Sequence, residues 1–229
     1  MRPLTAAVDG TVWGIVLAAG SGQRFGAIKQ FAELNGERLI DRAITALAEA
    51  CDRTLVVVPG ADPDEVVPGA DPDEPWKGPS ADLLVAGGRT RAASVRAALA
   101  RLPEDAGIVV VHGAAHPLAS SDLANRVVAA VRSGAHGAVP GLLPADHVHR
   151  VRDGYVVEDV GRDDLITVQS PCAYRVEALR EAYAGESTAV EDSQLLVRLG
   201  MRVAVVPGER HNLHVVTMDD LLLARHLAP

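Results

Sequence analysis

The stretch WGIVLAAGSGQRFGAIK, Trp13–Lys29, decides the fold. Its first part is an apolar run of strand length, and Gly20 and Gly22 follow soon after it. Glycine lets the main chain approach a ligand closely, and successive N–H groups in such a turn form a concavity that binds anions. Arg24 and Lys29 come next, and a guanidinium fork with an ammonium group suits a polyphosphate. The stretch therefore predicts a strand followed by a phosphate-binding turn.

Two common phosphate-binding motifs do not account for this turn. It lacks the Gly-Lys-Ser/Thr of a Walker motif, and its glycine spacing is not that of the GxGxxG dinucleotide fingerprint. On the residues alone, an ordinary strand and tight turn with two surface cations remains an alternative, because glycine turns after strands are common.

Length and composition limit the classes of protein to consider. The 229 residues suffice for one α/β domain and would be tight for two. The net charge of −8 argues against a nucleic-acid-binding surface, and no apolar run approaches the roughly 20 residues of a membrane span. The first residues, MRPLTAAVDG, lack the apolar stretch of a signal peptide, so we expect a cytoplasmic enzyme. Cys51 and Cys172 have no metal-ligand spacing and are expected to be free or buried thiols.

Short β-branched runs alternate with segments of helical periodicity along the chain. This alternation predicts a mostly parallel, doubly wound sheet with helices on both faces, in which ligands lie beyond the carboxyl ends of the strands. The glycine turn and the loop after Val111 would then lie together. Strands are predicted at 13–18, 54–58, 82–86, 108–111, 138–140, 166–169 and 201–206. Helices are predicted at 37–51, from a cap at Thr90 or the residue beside it through Leu102, from a cap at Ser120 or Ser121 through Val131, at 176–183, at 191–199 and after a cap at Thr217.

Two further segments do not follow the alternation. VPGADPDEV at 58–66 is repeated as VPGADPDEP at 67–75, which predicts a lengthened acidic surface loop without a function. Residues 147–158 are typical of a β-hairpin with a turn at Asp153-Gly154. This hairpin is too polar for a core, and an isolated hairpin is marginally stable, so the pattern favours a partner surface.

Several stretches resemble one family. AAGSGQRF followed by Lys29 is similar to the loop of the sugar-nucleotide and cytidylyl pyrophosphorylases, above all that of the 2-C-methyl-D-erythritol 4-phosphate cytidylyltransferases. AGGRTRAASV (Ala86–Val95), VVVHGAAHP (Val109–Pro117) and residues 146–171 resemble the same family in the same order.

The resemblance implies both a fold and a reaction. The fold is a single Rossmann-like nucleotidyltransferase domain over residues 1–229, which forms a homodimer through a hairpin arm at 146–160. The reaction is cytidylyl transfer from CTP to a sugar-alcohol phosphate, 2-C-methyl-D-erythritol 4-phosphate, with release of pyrophosphate, in the isoprenoid precursor pathway. The implied cofactor is Mg²⁺, and neither nucleic acid nor membrane is an implied partner.

The resemblance also assigns roles to individual residues, each of which would otherwise be a turn glycine, a capping serine or a solvated arginine. The implied triphosphate cradle is Ala18, Ala19, Gly20 and Gly22, with Arg24 and Lys29 stabilising the developing charge. Gly87, Gly88 and Ser94 would hold cytosine and ribose, and Ala114 would join the nucleotide site. Arg162 of the partner's arm and His214 would meet the acceptor phosphate.

The chain departs from the family pattern at several of these positions. In the run His112–His116, Gly113 replaces an aspartate that helps to hold Mg²⁺, and His116 replaces an arginine. His214 replaces a lysine, and Asp-Thr-x-Lys becomes the run 146–149 with His147 and His149. Losing a carboxylate removes a ligand that Mg²⁺ prefers, and histidine is mostly uncharged at neutral pH. Arg89, in place of an aspartate, adds a cation near the triphosphate.

These departures leave alternatives open. The chain is a working cytidylyltransferase or a close relative acting on another polyol phosphate. Alternatively, it is a paralogue that binds nucleotide, or merely dimerises, without catalysis, or a nucleotidyltransferase with another base. The histidines at 116, 147, 149 and 214 could instead form a transition-metal site.

Overall fold

The computed structural model describes residues 2–4, 7–20, 29–59, 81–185 and 191–228. Gly22, Arg24 and nearly all of the repeated acidic segment lie outside the described residues. The strands are β1 (Thr11–Leu17), β2 (Glu33–Leu34), β3 (Glu37–Arg38), β4 (Arg53–Val58), β5 (Leu83–Ala86), β6 (Ala106–Gly113), β7 (Gly137–Leu142), β8 (His149–Arg152), β9 (Tyr155–Asp159), β10 (Thr167–Val168), β11 (Cys172–Arg175) and β12 (Val203–Pro207). The helices are α1 (Leu39–Leu47), α2 (Arg91–Leu99), α3 (Ser121–Arg132), α4 (Val176–Tyr183), α5 (Asp192–Arg198) and α6 (Met218–Leu227), with a 3₁₀ turn at Lys29–Phe31.

A mostly parallel sheet forms the centre of the molecule, as predicted. Within the described residues its order is β10-β7-β11-β6-β1-β4-β5, with β12 beside β7. β1 is parallel to β4 and β6, and β4 is parallel to β5, whereas β11 is antiparallel to both of its neighbours. The carboxyl ends of β1, β4, β5 and β6 therefore meet at one edge of the sheet.

Helices cover both faces of this sheet, which explains why β1 is buried along its length. Ile15 packs with Val95 of α2 and Leu179 of α4 on one face, where all three are fully buried. The neighbouring Val16 packs on the other face with residues of α1 and α3, among them Ile44 and Val127. Successive strand side chains point to opposite faces, so one apolar strand serves two cores.

The helix caps follow local sequence, as predicted. The side chains of Thr90, Ser120 and Thr217 each accept a hydrogen bond from a main-chain N–H in the first turn of α2, α3 and α6, respectively. Thr217 and Asp220 form a complete capping box.

The hairpin of β8 and β9 is present, and its turn has the predicted chemistry. Asp153 and Gly154 have φ of 48° and 83°, which suits the tight Asp-Gly turn between antiparallel strands. Every residue of both strands is exposed.

Several sequence-based boundaries were wrong, and one strand was missed. The helix predicted at 37–51 begins at Leu39, because residues 37–38 pair with β2, and it ends at Leu47. The strand predicted at 108–111 continues through Gly113, so His112 and Gly113 lie within β6. β11 was not predicted at all, since its four residues run directly into α4.

No helix in the described part of the chain is both long and apolar enough to cross a membrane. Cys51 and Cys172 are both free, as expected.

Candidate active site

Three main-chain segments are joined at the carboxyl edge of the sheet. The N–H of Ala18, just after β1, donates to the carbonyl of Val57 in β4 (2.8 Å). The N–H of Ala114, just after β6, donates to the carbonyl of Leu17 (3.1 Å). These bonds continue the strand ladders past the strand ends, so the loops after β1 and β6 lie side by side as the sequence predicted.

The turn after β5 completes this edge, and its two glycines are required by close packing. A Cβ on Gly87 would overlap the Cβ of Ala19, and a Cβ on Gly88 would overlap that of Ala93. The buried Ser94 hydroxyl lies 3.1 Å from the N–H of Gly88 and accepts its hydrogen bond. Ser94 thus fixes the shape of the turn through its hydroxyl, while the main chain of 87–88 is left to form the surface.

Gly20 and Lys29 border the part of the glycine turn that the structure describes. No described atom lies within 4 Å of the position that a Gly20 Cβ would take. The side-chain amide of Gln30 donates to the carbonyl of Gly20 (3.1 Å), and Lys29 Nζ donates to the carbonyl of Val215 (2.9 Å). The ammonium group is therefore anchored between the first and last parts of the chain.

A partly buried network centred on Ser170 supports the end of β6. Ser170 Oγ accepts a hydrogen bond from the N–H of Gly113 (3.0 Å) and lies 2.9 Å from Nδ1 of His112. The Ser170 hydroxyl can donate to Nδ1 or accept from it, so the two side chains are hydrogen-bonded with either tautomer of His112. Burial lowers the pKa of His112 to about 3, and repulsion from His116 adds to the shift, so the ring is neutral.

A second histidine pair lies beyond the same strand. The rings of His116 and His214 stack with centroids 4.6 Å apart and planes 16° apart. His116 is half-buried and His214 is exposed. Burial lowers the pKa of His116 to about 4, with further lowering by His214 and Lys29 and partial opposition from Asn212. At neutral pH the inner ring is therefore uncharged.

The chain segment that carries His214 is held by two polar side chains. The Gln169 amide donates to the carbonyls of Glu209 (2.8 Å) and Asn212 (3.0 Å), and its oxygen accepts from the N–H of Glu209 (2.8 Å). Asn212, also buried, donates to the carbonyl of Ser170 (2.8 Å). Gln169, Ser170 and Asn212 were not singled out as site residues from the sequence, because their contacts join segments about forty residues apart.

The structure brings most of the predicted site residues to one edge of the sheet and leaves others apart from it. Residues 18–20, Lys29, 87–88, Ser94, Ala114 and His214 lie around the edge, whereas Gly22 and Arg24 lie outside the described residues. Arg162 is near the base of the hairpin, where its guanidinium donates to the carbonyl of Ala145 (2.7 Å). Arg89, expected near the triphosphate, is exposed just after the 87–88 turn.

The proposed four-histidine metal site is not formed. His147 and His149 lie on the same face of the hairpin, with ring centroids 6.4 Å apart, as their spacing predicted. They form a pair separate from the His116–His214 stack. Nowhere in the described residues do three or more histidine, cysteine, aspartate or glutamate side chains form a group able to hold a metal ion.

Mg²⁺ is also not accommodated by the described residues. Gly113 offers no ligand, and no described atom lies within 4 Å of its missing Cβ. In the described part of the chain, no cluster of three or more histidine, cysteine, aspartate or glutamate side chains supplies the oxygen ligands that Mg²⁺ prefers. The glycine is not required by its own conformation either, because its φ is not positive.

Comparison with known proteins gives the same architecture and the same order of motifs. The 2-C-methyl-D-erythritol 4-phosphate cytidylyltransferase family model matches residues 12–228. The chain is 38% identical to an enzyme of that name from Rhodococcus opacus, over 95% of each chain, and 38% identical to one from Saccharopolyspora erythraea, over 93% of this chain and 97% of that one. A crystal structure of the Thermus thermophilus enzyme of this name superposes with a TM-score of 0.77 at 32% identity, covering 96% of this chain and 98% of the other. The chain belongs to the 2-C-methyl-D-erythritol 4-phosphate cytidylyltransferase family.

Proposed function

We propose that this protein transfers the cytidylyl group of CTP to a polyol phosphate, 2-C-methyl-D-erythritol 4-phosphate, and releases pyrophosphate. The observation that carries the proposal is the edge where residues 18–20, 87–88 and 113–114 meet beside Lys29. This edge exposes main chain with little side-chain bulk next to a fixed cation, which suits a nucleoside triphosphate. Family membership supports the same reaction.

In the proposed reaction, an oxygen of the acceptor phosphate attacks the α-phosphorus of CTP. A new P–O bond forms, the bond from the α-phosphorus to the bridging oxygen of the β-phosphate breaks, and its electron pair leaves with pyrophosphate. The protein's contribution is to position the two phosphates in line and to stabilise negative charge. Lys29 suits the second task, because its bond to the Val215 carbonyl holds the ammonium group at one place.

The turn at 87–88 is proposed to hold cytosine and ribose through its main chain. The clashes that a Cβ would make at either glycine show that the turn has no room for a larger residue. Ser94 is proposed to act by positioning this turn, since its hydroxyl is buried against Gly88.

The acceptor phosphate is proposed to lie near the His116–His214 pair, with Arg162 supplied by the arm of a second subunit. The hairpin exposes apolar side chains, including Tyr155 at 77% and Val156 at 62%. An exposed two-stranded hairpin gains stability when such side chains pack against a partner. A homodimer would cover them and would carry Arg162 with the arm.

The expected Mg²⁺ dependence has no support from the described side chains, so none is proposed to ligate the ion. The compartment that we propose is the cytoplasm, because the two free cysteines suit a reducing environment.

The proposal is tested by pyrophosphate release with each of the four nucleoside triphosphates and a panel of polyol phosphates. We expect CTP with 2-C-methyl-D-erythritol 4-phosphate to give the highest kcat/KM. Lys29→Ala should lower CTP affinity by about 1.5–3 kcal/mol, the usual worth of a hydrogen bond to a charged group.

Arg132→Ala is the matched control, since Arg132 is an exposed cation at the end of α3, away from the strand ends. It should leave CTP affinity unchanged. A wild-type protein that shows no CTP binding by calorimetry refutes the proposed function. CTP binding without turnover on any acceptor identifies a nucleotide-binding paralogue instead.

A further inference from the structure

The His116–His214 stack is unusual for a site expected to bind a phosphate. At neutral pH its inner ring is uncharged, so that ring offers an anion no permanent charge. Lys29 is the cation known to act on this pair, since its charge contributes to the lowered pKa of His116. Among the described residues, a phosphate that binds here thus meets the Lys29 ammonium group and the two imidazoles.

The groups that face the pair come from three sides of the site. His112 of β6 is buried and neutral, and positive charges on His112 and His116 would disfavour each other. Lys29, from the 3₁₀ turn, also disfavours a charge on His116. Asp220 of α6 faces His214, and hydrogen bonds from Thr217 and Val216 lower the pKa of Asp220, which keeps it a carboxylate. The surroundings therefore oppose a proton on the inner ring and favour one on the outer ring.

Stacking allows one proton on the pair and disfavours a second. A cationic ring over a neutral aromatic ring is attractive, whereas two cations 4.6 Å apart repel each other. The inner ring is the costlier one to charge, because it is half-buried while His214 is exposed. A single proton would reside on His214, with neutral His116 beneath it.

We propose that the His116–His214 pair takes up one proton when a phosphate group binds beside it, and that this chain thereby holds its acceptor phosphate with a charge that depends on pH. This inference rests on the proposed function, because the phosphate in question belongs to the acceptor. Binding of a dianion supplies the negative charge that the outer imidazolium needs. The site would therefore be weak in alkaline solution and strengthen as the pH falls toward 6.

The number of protons taken up on binding sets how strongly the dissociation constant depends on pH. When binding takes up one proton, the dissociation constant falls by at most tenfold for each unit decrease in pH. A lysine at the same position would be charged throughout this range and would give no such dependence. His214→Lys therefore separates a proton-linked site from a permanently charged one.

The test uses inorganic sulfate as the probe, because its charge is constant between pH 6 and 8 and a phosphate monoester's is not. Sulfate is titrated into the full-length protein at pH 8, 7 and 6 by calorimetry, in buffers of different ionisation enthalpy. We expect the wild-type dissociation constant to fall five- to tenfold per pH unit, with net uptake approaching one proton. We expect His214→Lys to bind sulfate equally at all three pH values, without proton uptake.

His226→Lys is the matched control, because His226 is an exposed histidine on α6 that contacts the Leu222 carbonyl of its own helix. It should retain the wild-type pH dependence. Histidine ring ¹⁵N spectra of the wild type provide a second measurement that needs no variant: sulfate at pH 7 should convert His214 to the imidazolium form and leave His116 neutral.

Three results would overturn the inference: pH-independent sulfate binding by the wild type, an unchanged pH dependence in His214→Lys, or no sulfate binding at pH 6. A separate CTP titration distinguishes this failure from that of the proposed function. CTP binding and turnover with pH-independent anion binding would refute the proton uptake alone. Proton-linked anion binding without any CTP binding would refute the cytidylyltransferase assignment.

Discussion

Single residues at the end of β6 determine what the site can hold. His112 is fully buried and neutral, and its Nδ1 is hydrogen-bonded to Ser170. The adjacent Gly113 faces open space within the described structure and is not held in a left-handed conformation. The His112 ring is therefore fixed by its surroundings, whereas the neighbouring position 113 has room for a side chain.

Gly113→Asp should add a carboxylate without disturbing the fold. Because the position is open and its φ is not positive, we expect a melting temperature within about 2 °C of the wild type, as for a change well below 1 kcal/mol. The new oxygen ligand should increase Mg²⁺-dependent pyrophosphate release. Gly113→Asn, which has the same shape but no charge, should give a much smaller increase. A large loss of melting temperature would show that the position is constrained after all.

The buried histidines should make the protein sensitive to mild acid. The pKa values of His112 and His116, about 3 and about 4, lie below that of an unfolded histidine near 6.5. Between these values the unfolded chain binds more protons than the folded one, so stability is complete above pH 6.5 and falls as the pH decreases. From pH 7 to pH 5 each ring should cost about 2 kcal/mol of unfolding free energy.

Urea unfolding at a series of pH values measures this effect. His112→Gln should reduce the loss of stability between pH 7 and pH 5, whereas His226→Gln, an exposed position, should not. Equal pH slopes in wild type and His112→Gln would contradict the assignment of a low pKa to His112.

At the scale of elements, α2 is fixed to α5 by a buried ion pair. Arg91, the first residue of α2, makes two hydrogen bonds (2.6 and 2.7 Å) to Asp192 of α5, whose side chain is fully buried. The Tyr183 hydroxyl, at the end of α4, donates to the same carboxylate. Because α2 begins three residues after the 87–88 turn, these bonds also position one wall of the site.

Asp192→Asn should be strongly destabilising, by about 3–5 kcal/mol, because it removes the buried carboxylate charge and leaves Arg91 only the more distant Glu191, at 3.9 Å. Glu158→Gln removes an exposed ion pair with Arg150 in the hairpin and should cost less than about 1 kcal/mol. Chemical denaturation of the two variants gives the comparison. Similar losses in both would show that burial adds nothing to the Arg91–Asp192 pair.

The elements also show what sequence reasoning can and cannot find. The caps at Thr90, Ser120 and Thr217 were predictable because each depends on residues three positions away. β11 was not, because Cys172–Arg175 becomes a strand only by entering between β6 and β7. The site shows the same division: the glycine turns follow from local sequence, and the Ser170 network requires strands that are distant in sequence.

At the scale of the whole molecule, the arm formed by β8 and β9 exposes several apolar side chains. Val151 is 61% exposed, and Tyr155 and Val156 are exposed to a similar or greater extent. These apolar side chains lie on an arm whose two strands pair with each other and are exposed along their whole length. A second copy of the chain would cover them.

Deletion of residues 146–159 should therefore convert a dimer into a monomer, as measured by light scattering coupled to size exclusion. The sheet does not depend on the arm, so the melting transition should remain cooperative. Glu158→Gln, which changes a charge in the arm but none of its apolar side chains, should remain dimeric. A monomeric wild type would rule out the arm as a dimer contact.

The bond from Lys29 Nζ to the carbonyl of Val215 spans 186 residues, and the contact of His112 with Ser170 spans 58. Contacts of such high sequence separation form late, because closing a long loop costs chain entropy, and the free energy of the contacts offsets this cost only once they have formed. During synthesis, β1 and the glycine turn after it leave the ribosome early, whereas Val215, whose carbonyl binds Lys29, is added 186 residues after Lys29. Nucleotide affinity should accordingly be absent from nascent chains that end before residue 215, and its appearance would mark the completion of folding.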